Sequence, residues 1–156
     1  MVVGFREWVL IGDELFSPLA RMPWDAGSIT AECVPACRQA RGLWREASEH
    51  PGPAPDPGCV CGIYAMFEPD RYRGRERMTV ARGAVVLWGR IELHHRGMRA
   101  EFARVVALTL PRDRHAAAMI RRVAAGLDVE AVDRRELRAA ALAYGRPIAP
   151  DLIPVA

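Results

Sequence analysis

The apolar positions of the first two-thirds of the chain recur mostly with a period of two. Phe5-Arg6-Glu7-Trp8-Val9-Leu10-Ile11 is rich in strand formers, Gly12-Asp13 marks a turn, and Leu15-Phe16 opens a return strand. Pro18 and Pro23 end this pair, and Ile29 to Val34 reads as a third strand. Cys59 to Phe67 is strand-like again. The clearest strand is Gly83 to Leu93: Val85, Leu87, Ile91 and Leu93 share one face, and Val86 and Trp88 lie on the other. Apolar residues on both faces predict burial on both sides. His95-Arg96-Gly97 is a turn, and Arg99 to Leu110 returns as a strand, although Met98, Phe102 and Val106 also have helical spacing.

Two stretches break the period. Pro35 suits the first turn of a helix over 35–48, with Leu43 and Trp44 on its buried side. Gly42 weakens that helix. The nine residues from His50 to Gly58 hold four prolines and two glycines, which predicts a stiff, extended connector. The C-terminal part changes character. Asp113 caps a helix whose Ala116, Ile120, Val123 and Ala124 share a face, with Gly126 as its stop. Leu127, Val129 and Ala131 alternate as a short strand. Asp133 to Glu136 has capping-box spacing and opens a second helix, with Leu137, Ala141 and Tyr144 inward and Gly145 as its end.

Together these elements predict a single α+β domain over 1–156. Residues 1–112 are mostly β, a twisted antiparallel sheet or partial barrel with one helix at 35–48. Residues 113–145 form helix–strand–helix, and 146–156 form an extended tail. The rival for the C-terminal third is a helix-turn-helix, but the residues between its helices alternate too regularly for a tight turn.

Composition narrows the chemistry. All 22 basic side chains are arginine, asparagine is absent and Gln39 is the single glutamine. A GC-rich coding sequence accounts for this bias. Without lysine there is no Schiff base, no pyridoxal phosphate anchor and no P-loop lysine. Without asparagine, the usual bidentate reading of adenine is nearly lost. A formal charge of +3 is modest for a dedicated nucleic-acid binder. A start interrupted by Arg6 and Glu7 does not read as a signal peptide, and no run is apolar enough for a membrane helix, so a cytoplasmic protein is expected.

Thiols stay reduced in that compartment, which turns attention to four cysteines in two close pairs, Cys33 with Cys37 and Cys59 with Cys61. In extended backbone, residues two apart point to one side, so Cys59 and Cys61 can offer two sulfurs to one ion. Cys37 can join Cys33 if both lie on a helix face. Four thiolates would close a tetrahedral zinc shell of structural type. A set of Cys33, Cys59 and Cys61 completed by His50 or His94 is equally sound. Buried free thiols in a metal-free domain, a redox disulfide and an iron–sulfur cluster are the other readings, and the spacing matches no familiar cluster motif.

The segment containing Arg71, Tyr72, Arg73, Arg75 and Arg77 mixes cations with an aromatic ring, a composition that grips phosphates and stacks bases. Its plainer reading is a solvated loop, partly neutralised by Glu68, Asp70 and Glu76. The motifs HExxH, GxGxxG, GxSxG and the zinc-deaminase pattern are missing.

Cys59-Val-Cys-Gly-Ile-Tyr-Ala65, then Gly83-Ala-Val-Val-Leu-Trp-Gly89, His94 and Gly97-Met-Arg-Ala-Glu101, resemble a group of small uncharacterised proteins of high-GC bacteria. Gly4 to Trp8, Pro23-Trp24 and Cys33 fit the same group, as does the helix–strand–helix end. Cys37 does not match it. The group has no assigned activity, so the resemblance implies a whole-domain fold and no reaction. Two functional expectations follow from the residues. One is a zinc-stabilised binding or accessory module with a protein or nucleic-acid partner. The other is a small metalloenzyme with an open metal position, for which His94 and Glu92 or Glu101 would be the acid–base candidates.

Overall fold

The computed structural model describes residues 1–18, 22–24, 28–33, 50, 52–69 and 80–155. The expected helix at 35–48, with Cys37 and Trp44, and the arginine segment 71–77 lie outside these residues. The described strands are β1 (Val2–Ile11), β2 (Glu14–Phe16), β3 (Ile29–Thr30), β4 (Ile63–Met66), β5 (Val80–His94), β6 (Gly97–Thr109) and β7 (Glu130–Val132). The helices are α1 (Arg114–Gly126) and α2 (Leu137–Leu142), followed by a 3₁₀ turn at Pro150–Leu152. The architecture is α+β, mainly antiparallel sheet with two helices. No described helix is long and apolar enough to cross a membrane.

The sheet closes on itself. β1 pairs antiparallel with β5 from Val2–Leu87 to Val9–Val80, and β5 pairs with β6 along most of its length. β6 pairs with β4 over Gly97 to Ala100, and β4 returns to β1 through the Phe5–Met66 pair. Four strands thus form a ring. β2 extends β1 beyond it, and β3 and β7 follow β4 along the free edge of β6. The β5–β6 register shifts between Trp88 and Ile91, a bulge that bends the long hairpin around the ring. The helical spacing in the first half of β6 does not prevail: Gly97–Thr109 is strand throughout, because β5 and β4 satisfy its backbone on both sides.

Two cores use the two faces. Trp8 and Leu10 from β1, Val85 and Leu87 from β5, and Met98 and Ala100 from β6 fill one cluster, which α1 joins through Ile120, Val123 and Ala124. Val3 and Phe5, Ala84 and Val86, and Val106 form the other, which α2 covers with Leu137 and Ala141. Val85, Val86 and Leu87 are therefore all at 0% exposure, one face turned to each cluster.

Three local readings are corrected. Tyr144 is 40% exposed: α2 stops at Leu142, so the helical period no longer sets the direction of Tyr144. Gly126 is the last helical residue of α1 and not its left-handed stop; Asp128, with φ of 52°, makes the turn instead. The strand after α1 is Glu130–Val132, displaced from the alternating Leu127, Val129 and Ala131, and it runs parallel to β6. The strand between the helices rules out a tight helix-turn-helix. The capping box is partly realised: the Asp133 backbone N–H donates to Glu136 Oε2 at 3.3 Å, but α2 begins only at Leu137. In the tail, the Val3 N–H donates to the Arg146 carbonyl, so Arg146 lies beside the start of β1.

Candidate metal centre

The free edge of β6 sets up the site. β3 pairs with it at Phe102 and Ala103, the Ala31 N–H donates to the Glu101 carbonyl, and Cys33 follows two residues later. β4 pairs with β6 at Gly97 to Ala100, and the loop entering β4 carries Cys59 and Cys61. One strand edge therefore brings together cysteines that are 26 residues apart in the chain.

The loop is shaped by its own sequence. The Cys59 N–H donates to the Asp56 carbonyl at 2.9 Å, closing a turn with Pro57 and Gly58 at its centre, the residue types such turns favour. The Asp56 carboxylate accepts the Gly58 N–H at 2.8 Å. Gly62, with φ of +124°, lets the chain pass close to Arg99: a Cβ there would lie 3.1 Å from Arg99 Cβ and 3.2 Å from Pro55 Cβ.

Four donors converge. The ligand atoms of Cys33, His50, Cys59 and Cys61 all lie within 4.8 Å of one another. Cys33 Sγ is 3.5 Å from Cys59 Sγ, and His50 Nε2 is 3.2 Å from Cys61 Sγ. Zinc–sulfur bonds of about 2.3 Å and a zinc–nitrogen bond of about 2.0 Å give tetrahedral edges of about 3.8 Å between sulfurs and about 3.5 Å between sulfur and nitrogen. Both separations lie within a few tenths of an ångström of those edges. His50 Nδ1 faces the Gly52 carbonyl at 2.9 Å; a proton on Nδ1 serves that contact and leaves the Nε2 lone pair toward the thiols. Cys59 and Cys61 are buried, at 5% and 0% exposure, and form a small cluster of their own with Ala54, Ala31 and Cys33. All three described cysteines are free thiols.

The thiols do not titrate alike. Burial opposes ionisation of Cys59, but the backbone of Cys61 and hydrogen bonds from Cys61, Cys33 and His50 outweigh it and bring its thiol down to about 7. Burial pushes the Cys61 thiol up to about 12, and the neighbouring Cys59 and Cys33 charges add to the rise. Three close thiols cannot all ionise in an apolar pocket without a compensating cation, a charge that a divalent metal would supply.

A buried arginine holds this loop. Arg99, 3% exposed, donates through Nη1 to the Cys59 and Cys61 carbonyls, the latter at 3.0 Å. Through Nη2 it donates to the Asp56 carbonyl at 3.1 Å and to Glu92 Oε2 at 2.6 Å. Glu92 Oε1 in turn lies 3.4 Å from His94 Nε2. His94 thus sits beside Glu92 at the end of β5, outside the donor group, and 44% of its side chain is exposed. Arg99 was not singled out by residue type. The hairpin turns through His95 and Arg96 alone, one residue fewer than the turn expected over His95-Arg96-Gly97, and this register sets Glu92 directly opposite Arg99.

Comparison with protein-family models, curated proteins and solved structures found no match to the chain. The fold and the site define an α+β domain with a Cys3His group whose donors are close enough to bind a metal ion.

Proposed function

We propose that this chain is a zinc-stabilised binding or accessory module, with Cys33, His50, Cys59 and Cys61 as the ligands of a structural zinc. The observation that carries this reading is the convergence of four protein donors, three of them thiols, within 4.8 Å. Such a set suits zinc in its closed, four-coordinate form. It leaves no position for a substrate water, so the reading of three ligands and an open site has no support from this geometry. The cysteine-containing cluster shares only the partly buried Ala31 with the larger cores, so the metal orders the loops off β6 rather than creating the fold. The partner surface we assign to Arg71, Tyr72, Arg73, Arg75 and Arg77, on their composition of cations with an aromatic ring.

Elemental mass spectrometry on reduced, tag-free protein tests the ligand set. One zinc per chain is expected, lost in Cys33→Ala, His50→Ala, Cys59→Ala and Cys61→Ala and kept in Cys37→Ala and His94→Ala. Metal-free wild type, or retention in Cys61→Ala, would sink this reading. The partner surface has its own test: substituting Arg73, Arg75 and Arg77 together should weaken partner capture without lowering Tm, and unchanged capture removes that segment from the reading.

A further inference from the structure

On the side of the molecule where β1, β5 and the end of β6 meet both helices, there is a cavity of about 390 Å³. This is within the range of about 300–1,000 Å³ that small-molecule pockets occupy. Its walls divide by chemistry. Phe5, Leu10, Leu110, Ile120 and Leu137 contribute apolar surface. Arg6, Arg82, Arg112 and Arg134 also line it, and among the described lining residues there is no aspartate or glutamate. Arg82 is engaged by Glu7 at 2.6 Å, so its charge is already shared. Arg112 is different: it is exposed, and no described residue forms an ion pair or hydrogen bond with it.

From these observations we infer a binding site for a small amphiphilic oxyanion, a carboxylate or phosphate monoester carried on an apolar body. The apolar walls take the body, and Arg112 takes the oxyanion by charge-assisted hydrogen bonds. Neither an apolar molecule nor a bare anion uses both halves of the lining. The site is distinct from the metal centre, and no residue of the Cys3His group lines it.

Isothermal titration of the intact chain, as purified under reducing conditions, with decanoate, decyl phosphate, decanol and inorganic phosphate tests this. The two amphiphilic anions should bind at one site per chain, at least about tenfold more tightly than decanol or inorganic phosphate. Tighter binding of decyl phosphate identifies the phosphate ester as the ligand class, and tighter binding of decanoate identifies the carboxylate. Arg112→Ala should weaken the anions by about tenfold and leave decanol unchanged. Absence of anion binding, equal affinity for decanol and decanoate, or unchanged affinity in Arg112→Ala would overturn the assignment. Because Arg112 is exposed, its removal does not threaten the fold.

Discussion

Arg99 places a guanidinium where almost no solvent reaches and divides its hydrogens among three backbone carbonyls and one carboxylate. The carbonyls belong to Asp56, Cys59 and Cys61, so the side chain fixes the backbone that presents two of the four donors close enough to bind a metal ion. Only the planar fork of arginine spans these acceptors at once. Glu92 neutralises the charge, which a buried cation requires. Arg99→Lys keeps the charge but loses the fork. It should weaken metal affinity by about 10–100-fold, the scale of outer-shell changes at metal sites, as measured by competition with a chromogenic chelator. Wild-type affinity in this variant would show that the clamp does not position the ligands. His50 makes a related point: between two histidines that both lay within sequence reach of the thiols, the strand edge chose the one whose other nitrogen already had a carbonyl partner.

At the scale of elements, the closeness of β5 and β6 depends on a missing side chain. A Cβ at Gly83 would lie 2.2 Å from the Ala107 carbonyl oxygen, a backbone atom that cannot turn aside, and 3.2 Å from the Trp8 ring. Gly83→Ala should therefore destabilise the domain by about 1–3 kcal/mol, the usual cost of overpacking. Urea unfolding would read this as a lower midpoint with an unchanged slope; an unaltered midpoint would mean that the hairpin can splay at no cost. α1 depends on its first turn. Asp113 accepts the Ala116 N–H at 2.8 Å and is extended at the cap position. Asp113→Ala should cost about 1 kcal/mol in the same measurement. Because Ala116 and Ile120 line the basic cavity, fraying of this turn should also loosen anion binding there. The cap was readable from residue type and spacing alone, since its partner is three residues away. The end of α2 was not: the chain leaves the helix after Leu142, and Arg146 then bonds to Met1 and Val3 at the start of β1, partners that lie far away in the chain.

For the whole molecule, the ring of β1, β5, β6 and β4 leaves a few long-range contacts to hold α1 against the β1–β2 turn. Arg122 makes a two-pronged pair with Asp13, 109 residues away, with both side chains about half exposed. The hydrogen bond from Arg122, then its charge, holds the Asp13 carboxyl below its ordinary value of 3.8. A carboxyl depressed in the folded state adds stability above its unfolded value and loses it as the pH falls through the folded one. Asp13→Asn should therefore lower Tm slightly at neutral pH and low salt, and the difference should vanish well below pH 3.8 and in high salt. A difference that persists in acid would assign the effect to packing instead.

The sequence by itself determined the strand-rich first part, a turn in the stretch His95-Arg96-Gly97, the capped α1, burial of both faces of β5, and a thiol-rich group suited to a metal. Each of these follows from local period, turn chemistry or donor type, which act over a few residues. Tertiary structure alone decided that β4 returns to β1 to close a ring, that β7 runs parallel to β6, and that His50 completes the donor group. It also decided that Arg99 is buried beneath the loop. These depend on which edge of β6 is left free and on what lies beside it, and such long-range pairings leave no periodic trace along the chain.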